Sequence, residues 1–366
     1  MIRTPFTDAY GLCHPIANAG MAFAGMSPRL PAAISAAGGF GTLANVGFFP
    51  PPLLESLVAD LRRATDRPFG INFITSYVQP EVIAACARLK PAAVSFHWGR
   101  PDPAWVAMLH EAGVRVWEQV GSVAEARRAA ADGIDLIIVQ GSEAGGHNYG
   151  EMSTLTLLPA VRDAVGSAAI LLAAGGIVDG RGLAAALALG ADGAWIGTRF
   201  VATEESDAHP EWKARLLAAG GVDTVRTHVF GRHHPAFNPM RVLRNKVVAE
   251  WHERIAEIPV DNSNEPLIGE MTVFGQPQPL HRFQNLAPMA GASGDFDELP
   301  LLCGEGVGGV HDIAPAGEVL ERIARDAVMI LRGLAGRVDD AAGQVGVDAG
   351  QVGVDAGRIN AVAGRP

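Results

Sequence analysis

Short apolar or β-branched runs recur before residue 200 at intervals of a few tens of residues, and alanine- and leucine-rich amphipathic stretches separate them. This alternation predicts βα units on a parallel sheet. The sequence contains eight such apolar runs, which begin near His14, Gly38, Phe69, Ala92, Val114, Ile134, Ala169 and Gly193. Eight βα units predict a closed (β/α)8 TIM barrel, in which functional residues lie on the loops at the C-terminal ends of the strands.

The amphipathic stretches predict helices between the strands. Proline near several helix starts and glycine after several helix ends support these boundaries. The predicted helices span Pro28–Ala37, Pro52–Thr65, Pro80–Leu89, Pro103–Ala112, Ser122–Ala131, Ser153–Val165 and Gly180–Leu189. A later helical stretch, Ala316–Arg332, is expected to complete the outer ring of the barrel.

The alternation of predicted strands and helices ends after residue 205, and a polar region that contains proline and histidine follows. Such an excursion predicts a smaller inserted domain or lid over the barrel mouth. We therefore expect residues 1–205 and 286–336 to form the barrel and residues 206–285 to form the lid or substrate domain. The sequence QVGVDAG occurs twice after residue 343, and this glycine content predicts a flexible tail over residues 337–366.

The composition suits an α/β protein with many short turns, because 48% of residues are hydrophobic, 19% are charged, and there are 44 glycines. A net charge of -10 argues against binding to nucleic acid or to an anionic membrane. The cysteines Cys13, Cys86 and Cys303 lack the spacing of a disulfide framework or a zinc site. Because no signal peptide or long apolar stretch is evident, we expect a cytoplasmic protein.

Three glycine-rich turns follow predicted strands and carry the candidate chemistry. The segment Val139–Gly150 bears His147, a side chain that can exchange protons near neutral pH. A lone loop histidine more often caps a turn, but two further turns, Ala173–Ile177 and Ile196–Arg199, follow neighbouring strands. Main-chain N–H groups at such strand-to-helix turns bind phosphate. The pair His233 and His234 after Arg232 is a weaker candidate for a metal or substrate site, because no third ligand is evident.

The turns predict a phosphorylated ligand, because phosphate sites in this fold recur after the seventh and eighth strands. Amides and a hydroxyl would come from Gly175, Gly176, Gly197 and Thr198, with Arg199 either a cation for the phosphate or an outer-face salt-bridge partner. Polar residues after the third, fourth and fifth strands could contact a heteroaromatic ring such as a flavin; they are Asn72, His97 and Gln119.

Several of these segments together resemble the FMN-dependent nitronate monooxygenase (2-nitropropane dioxygenase) family. Their order and spacing match the family from about residue 10 to residue 205, and the EAGGH motif is the most specific part. A weaker similarity lies in the glycine-rich segment Cys303–Gly308. The matching segments are Ala33–Gly41, Phe69–Asn72, Val94–Gly99, Gln140–His147 and Ala174–Ile177.

The resemblance implies that FMN lies across the barrel mouth and that no metal is required. It places the phosphate on the second and third glycine-rich turns and the flavin ring near the other strand ends. The implied cofactor-binding residues are Gly20, Met21, Ala22, Asn72, Gln119, Gly146, Gly175, Gly176, Gly197 and Thr198. His147 would face the substrate and would abstract a proton from a nitroalkane or, when protonated, stabilise the nitro group.

In the family reaction, a nitronate is oxidised through the flavin by dioxygen to a carbonyl compound and nitrite. The same motifs occur in flavin-dependent enoyl-[acyl carrier protein] reductases, which would use NAD(P)H and an enoyl thioester. The segment Ala19–Ala22 departs from the usual nitronate pattern, in which a proline before the methionine is common. The segment Ile196–Val201, followed by Glu205–Pro210, resembles the reductases at least as much. A third alternative is a non-enzymatic sensor of a phosphorylated ligand, which His147 beside the expected ring site disfavours. A homodimer is compatible with either enzyme.

Overall fold

A computed structural model describes residues 1–44, 47, 49–148, 150–232 and 239–337. Met1–Ile330 form one compact unit and Leu331–Pro366 a second. Two sequence-based hypotheses fall largely outside the described residues: the tail over residues 337–366, of which only Arg337 is described, and the histidine pair His233 and His234.

Eight parallel strands form one sheet, as the sequence predicts. In the order of the sheet, each strand pairs with the next: β1, β9, β8, β6, β5, β4, β3 and β2. The strands are β1 (Ile16–Asn18), β2 (Gly41–Ala44), β3 (Phe69–Ile74), β4 (Ala93–His97), β5 (Arg115–Val120), β6 (Leu136–Gln140), β8 (Ile170–Ala174) and β9 (Gly193–Ile196). A two-residue strand, β7 (Gly146–His147), lies outside this sheet.

The seam between β1 and β2 closes the sheet into a barrel. The two strands meet at a parallel bridge between Ala17 and Phe40. Beyond it, the side chain of Asn18 takes the place of a main-chain pairing: its Oδ1 accepts from the N–H of Thr42 at 2.8 Å, and its Nδ2 donates to the carbonyl of Thr42 at 2.9 Å. Because Asn18 is fully buried, these bonds also satisfy its amide.

Eight of the twelve α-helices in the described residues lie close to their predicted positions, and the other four, Pro5–Tyr10, Thr198–Val201, Pro210–Ala218 and Lys246–Trp251, were not predicted. Proline in the first turn begins α1, α3, α4, α5 and α10, where its missing N–H costs no hydrogen bond. The helices are α1 (Pro5–Tyr10), α2 (Arg29–Ala36), α3 (Pro51–Ala64), α4 (Pro80–Leu89), α5 (Pro103–Glu111), α6 (Val123–Ala131), α7 (Thr154–Val165), α8 (Gly180–Ala188), α9 (Thr198–Val201), α10 (Pro210–Ala218), α11 (Lys246–Trp251) and α12 (Ala316–Ala335). Among the described residues, no helix has the length and apolar character needed to span a bilayer.

Aromatic side chains fill the N-terminal half of the barrel. The ring of Trp117 lies 4.5 Å from that of Phe40 and 5.9 Å from that of Trp195, between centroids. The short helix α1 adds Phe6 and Tyr10 to this cluster, and the Tyr10 hydroxyl accepts a hydrogen bond from the Trp117 indole at 2.6 Å. This end of the barrel is therefore a packed core, and the opposite end is left for a ligand.

Residues 206–285 supply two strands to each of two small antiparallel sheets and belong to the unit Met1–Ile330. The first sheet joins β10 (Thr224–Thr227) and β11 (Met240–Leu243) to β7, and the second joins β12 (Leu267–Val273) to β13 (Gln276–His281) and β14 (Ser293–Gly294). Short 3₁₀ helices span Gly221–Asp223, His252–Glu257 and Glu305–Gly309. That this region acts as a lid stays a prediction.

Candidate functional site

A cavity of about 490 Å³ opens at the C-terminal ends of the barrel strands. Its wall contains every catalytic and cofactor-binding residue predicted from the sequence: Gly20, Met21, Ala22, Asn72, Gln119, Gly146, His147, Gly175, Gly176, Gly197 and Thr198. The structure brings these residues together, and their individual roles stay predictions. Residues with apolar side chains make up much of the remaining wall, including Phe23, Ile74, Val178, Leu286 and Leu302.

One end of the cavity, here called the glycine end, consists of Gly175, Gly176, Gly197 and Thr198. Gly175 and Gly176 have φ values of 110° and 73°, which side-chain-bearing residues rarely adopt. A Cβ built on Gly176 would have no neighbour closer than 3.9 Å, and one built on Gly197 would have none closer than 3.6 Å. Gly176 and Gly197 therefore present main chain to open space, which is the form of a phosphate-binding turn, whereas a Cβ on Gly175 would lie 2.8 Å from the Thr154 hydroxyl.

The segment Cys303–Gly306 closes the outer side of the glycine end. The N–H of Gly304 donates to the Thr198 hydroxyl at 2.9 Å, and the N–H of Glu305 donates to the carbonyl of Glu143 at 2.9 Å. A Cβ on Gly304 would lie 2.6 Å from that same carbonyl. The close packing requires glycine, so this segment, which carried only a weak sequence signal, forms part of the site.

Arg199 is not a cation of the glycine end, which corrects one of the two roles considered for it. Its side chain is 3% exposed and lies outside the cavity wall. Its Nη2 is 2.6 Å from a carboxylate oxygen of Asp312, and its Nη1 donates to the main-chain carbonyl of Asp312 at 2.9 Å. The salt-bridge alternative therefore holds, because Asp312 engages both terminal nitrogens of the guanidinium.

The middle of the cavity carries amide side chains from β3 and β5, the two strands that flank β4. Asn72 donates from Nδ2 to the Ser95 hydroxyl at 2.9 Å, which fixes the orientation of its amide. A Cβ on Gly20 would fall 2.2 Å from atoms of the Asn72 side chain, so Gly20 is needed for Asn72 to occupy this position. Gln119 lies on β5, and its relative solvent exposure is 6%.

The loop that carries His147 is held from both sides. β7 pairs antiparallel with β11, so that His147 lies opposite Met240 and Gly146 opposite Arg241. Inside the loop, Nδ2 of Asn148 donates to the carbonyls of Gly141, Ser142 and Ala144 at 2.9 to 3.1 Å. The sequence predicted the histidine but not its strand partner, which comes from the inserted region.

Two more side chains, those of His97 and Gln140, lie near His147. The three residues His97, Gln140 and His147 form what is here called the histidine end of the cavity. Nε2 of Gln140 donates to the main-chain oxygen of His147 at 3.3 Å. Burial and, to a smaller extent, the nearby His147 lower the pKa of the His97 imidazole, a hydrogen bond to the main chain of His147 partly opposes them, and the resulting pKa is about 3. His97 is therefore neutral at physiological pH.

The histidine end also holds polar atoms that lack a partner among the described residues. They are Nδ1 of His97 and Oε1 of Gln140, both buried acceptors on residues of the cavity wall. Buried acceptors of this kind are normally paired with a donor. Together with the open glycine turn, they fit a flat polar ligand with N–H or O–H groups at one end and a phosphate at the other. A flavin mononucleotide meets both requirements.

Comparison with known proteins identifies a family that the chain matches and several relatives. A model of the family described as nitronate monooxygenase matches residues 3–84 and 74–326. A probable nitronate monooxygenase from Staphylococcus saprophyticus is 30% identical over 337 residues, covering 78% of this chain and 92% of the relative. A Mycobacterium tuberculosis protein named (3aS,4S,5R,7aS)-5-hydroxy-7a-methyl-1-oxo-octahydro-1H-indene-4-carboxyl-CoA dehydrogenase is 39% identical over 250 residues, 68% of each chain.

Solved structures with the same fold include FabK from Thermotoga maritima. It superimposes with a TM-score of 0.76 at 33% identity, over 92% of this chain and 100% of FabK. A nitroalkane oxidase from Streptomyces ansochromogenes has a TM-score of 0.72 at 28% identity, over 90% of this chain and 99% of the oxidase. The similarity therefore extends beyond the barrel and includes the inserted region.

Proposed function

The chain belongs to the nitronate monooxygenase family of flavin-dependent oxidoreductases, and we propose that it binds FMN and oxidises alkyl nitronates with dioxygen to a carbonyl compound and nitrite. The observation that carries this proposal is the position of His147 on the wall of a cavity whose glycine end fits a phosphate. A proton-exchanging side chain and a site for the flavin share one cavity.

FMN is favoured over a dinucleotide because the two glycine turns lie at the same end of the cavity and offer a single site for one phosphate group. The Thr198 hydroxyl, which accepts a hydrogen bond from Gly304, keeps its own O–H to donate to a phosphate oxygen. Acceptors at the histidine end and the amides of Asn72 and Gln119 would surround the ring. When bound, the flavin supplies electron transfer from the substrate to dioxygen.

His147 is the group proposed to move a proton. An imidazole nitrogen of His147 would take the proton from the carbon next to the nitro group of a neutral nitroalkane. Once protonated, the same ring would stabilise the negative charge on the nitronate oxygens. His97 cannot share this task, because its pKa of about 3 leaves it a weak base.

A second candidate is redox chemistry on an acyl thioester. The Mycobacterium tuberculosis relative is named as a carboxyl-CoA dehydrogenase, and it is more similar in sequence over its matched region than the staphylococcal relative. The apolar residues on the cavity wall, including Phe23 and Leu286, would suit an acyl group. In this reaction NAD(P)H would be the electron donor if the direction is reduction.

Anaerobic mixing of the flavin-loaded protein distinguishes the two functions. We expect a preformed alkyl nitronate to bleach the visible absorption of the oxidised flavin within one turnover, and NADH to leave it unchanged. Bleaching by NADH with reoxidation by crotonyl-CoA would instead establish the thioester function. A protein that fails to retain FMN after reconstitution, or that releases FAD on heating, would contradict the cofactor assignment.

A further inference from the structure

The main-chain oxygen of His147 is held by side chains from two strands of the barrel. Gln140, the last residue of β6, donates from Nε2 at 3.3 Å. His97, the last residue of β4, hydrogen-bonds to the same main chain through its imidazole. Because Nδ1 of His97 has no partner among the described residues, Nε2 is the nitrogen that makes this bond. Two donors from different strands thus converge on one residue.

The ring of His147 is restrained as well. Its centroid lies 5.5 Å from that of Trp98, with the planes at 79°, so the two rings meet edge to face. Trp98 has a φ of 68°, a conformation that side-chain-bearing residues rarely adopt because it is sterically unfavourable. Such strain persists only where the surroundings fix the backbone, and it concentrates at functional sites. The turn after β4 therefore brings both His97 and Trp98 against His147.

The remaining side of His147 is fixed by β11. The antiparallel pairing places Met240 opposite His147, and Arg241 anchors the strand to the same loop by donating to the carbonyl of Ser142 at 3.0 and 3.2 Å. A salt bridge of 2.9 Å between Arg241 and Glu305 extends this connection to the segment Cys303–Gly306.

We propose that His97 and Gln140 are positioning residues for His147, which hold its main-chain oxygen with a pair of N–H donors and leave their own acceptor atoms, Nδ1 and Oε1, for the ligand. The proposal deepens the proposed function, because it assumes that His147 moves the substrate proton. The two residues act on His147 from separate strands, so each can be removed without the other.

The neutral state of His97 supports these roles. A neutral imidazole offers one donor and one acceptor, whereas a charged imidazole has no acceptor. Burial keeps the pKa of His97 far below neutrality, so the ring can donate from Nε2 and accept at Nδ1 at the same time. The same ring therefore connects the main chain of His147 to the ligand space.

Loss of this positioning should slow proton transfer by His147 more than it slows the oxidation of a nitronate. A displacement of a catalytic group by about 1 Å can cost a factor of ~100 in rate. A preformed nitronate has already lost its proton, so its oxidation depends less on the placement of His147. The ratio of neutral-nitroalkane turnover to nitronate turnover therefore reports on positioning, whereas a general loss of structure lowers both rates together.

The test compares variants that remove one donor at a time. Gln140→Met keeps the length of the side chain and removes its N–H, and His97→Phe removes the imidazole donor. We expect each to lower the turnover ratio by about 10-fold. His97→Gln retains an amide donor near the position of Nε2 and should recover most of the ratio. Gln278→Met, on the edge strand β13, is the matched control and should leave the ratio at the wild-type value.

A second measurement does not depend on turnover. In the FMN-loaded protein with isotope-labelled histidine, His147→Ala identifies the signals of His147 by their loss. We expect these signals to shift or broaden in Gln140→Met and in His97→Phe but not in Gln278→Met.

Unchanged His147 signals together with an unchanged turnover ratio in both variants would overturn the proposal. If the wild-type protein oxidises no nitro compound, the proposed function fails and the signals alone decide on positioning. Shifted signals would then support the positioning roles, and unchanged signals would reject them.

Discussion

The two ends of the cavity present different chemistry to a ligand. At the glycine end, Gly175, Gly176 and Gly197 offer main-chain groups, and a hydroxyl is the only side-chain donor among its four residues. At the histidine end, imidazole and amide side chains approach from β4, β6 and β7. The four residues of the first end carry no ionisable side chain, whereas the second end carries the imidazoles of His147 and His97, of which His97 stays neutral because it is buried.

This difference separates binding from reactivity. Main-chain N–H groups hold an anion without changing charge, so the glycine end is suited to constant retention of a phosphate. A histidine changes charge near neutral pH, so the histidine end is suited to proton transfer. If the assignment is right, damage to one end should leave the function of the other intact.

The largest effect is expected from Gly176→Val. A β-branched residue cannot adopt a φ of 73° without strain, and its side chain would occupy space next to the phosphate turn. We expect FMN affinity to fall by about 100-fold or more, measured by quenching of flavin fluorescence, because close approach of the phosphate to the main chain is lost.

The matched control is Gly133→Val in the turn between α6 and β6. Gly133 has a φ of 78°, and a Cβ placed on it would meet no atom within 4 Å, so the backbone strain is comparable but the site is at the opposite end of the barrel. This variant should lose stability and keep its flavin. Full FMN retention by Gly176→Val would show that the phosphate binds elsewhere.

The next effect concerns His147→Ala at the histidine end. FMN should still bind, because its phosphate and ring contacts come from other strand ends. Turnover of a neutral nitroalkane should fall by about 100-fold or more, the usual contribution of a positioned general base. Oxidation of a preformed nitronate should fall less.

His110→Ala provides the control for His147→Ala. His110 lies on α5 and forms a surface contact of 2.8 Å with Asp135. Its loss should leave both turnover rates near the wild-type values. If His147→Ala oxidises neutral nitroalkanes as fast as the wild-type protein, the histidine is only a turn residue and the proton-transfer assignment is wrong.

The glycine end could be predicted more completely from the sequence than the histidine end. Each residue of the glycine end lies at a turn between a strand and a helix. The local sequence pattern and the known geometry of TIM barrels were therefore sufficient to predict these residues. The same reasoning located the eight strands to within three residues of their observed starts and predicted the helices between them. These features depend on the hydrophobic pattern, which is a local property of the chain.

The contacts of the histidine end could not be predicted in this way. β11 pairs with His147 from within the inserted region, and Gln140 is recognisable only as a polar residue that ends an apolar strand. Likewise, Arg199 and Asp312 are 113 positions apart, so the sequence left the role of Arg199 open. Long-range pairing is set by the tertiary fold and has no local periodicity to reveal it.

A smaller effect should appear in the pH dependence of stability. The pKa of His97 is about 3 in the folded protein and near 6.5 in the unfolded chain. Between these values the unfolded chain binds a proton that the folded protein does not, so the free energy of unfolding falls as the pH decreases below 6.5. At a pH of about 5 the loss is about 2 kcal/mol, and at a pH of about 8 it is absent.

His97→Gln should therefore reduce the difference in unfolding free energy between a pH of about 8 and one of about 5 by about 2 kcal/mol, as measured by urea denaturation. The glycine-end variant Gly176→Val should leave this pH dependence as it is in the wild-type protein. An unchanged pH dependence in His97→Gln would show that the imidazole titrates as a hydrated group and that the histidine end is wetter than its geometry indicates.

The smallest effect on the ligand is expected from Arg199→Met, which tests whether the glycine end works without a cation. Arg199 is paired with Asp312, and Asp312 is also bound by Arg322 at 2.8 and 3.0 Å, so the carboxylate keeps one partner when Arg199 is removed. We expect a loss of stability of about 1–3 kcal/mol from the broken buried hydrogen bonds. FMN affinity, measured well below the unfolding temperature, should change by less than about 3-fold, because the phosphate is held by amides and a hydroxyl.

The control is Arg322→Met, which removes the other partner of Asp312. Like Arg199→Met, this variant should lose stability and keep its FMN affinity. A loss of FMN affinity of about 100-fold in Arg199→Met alone would mean that the guanidinium reaches the phosphate, and the contrast between an uncharged glycine end and a titrating histidine end would no longer stand.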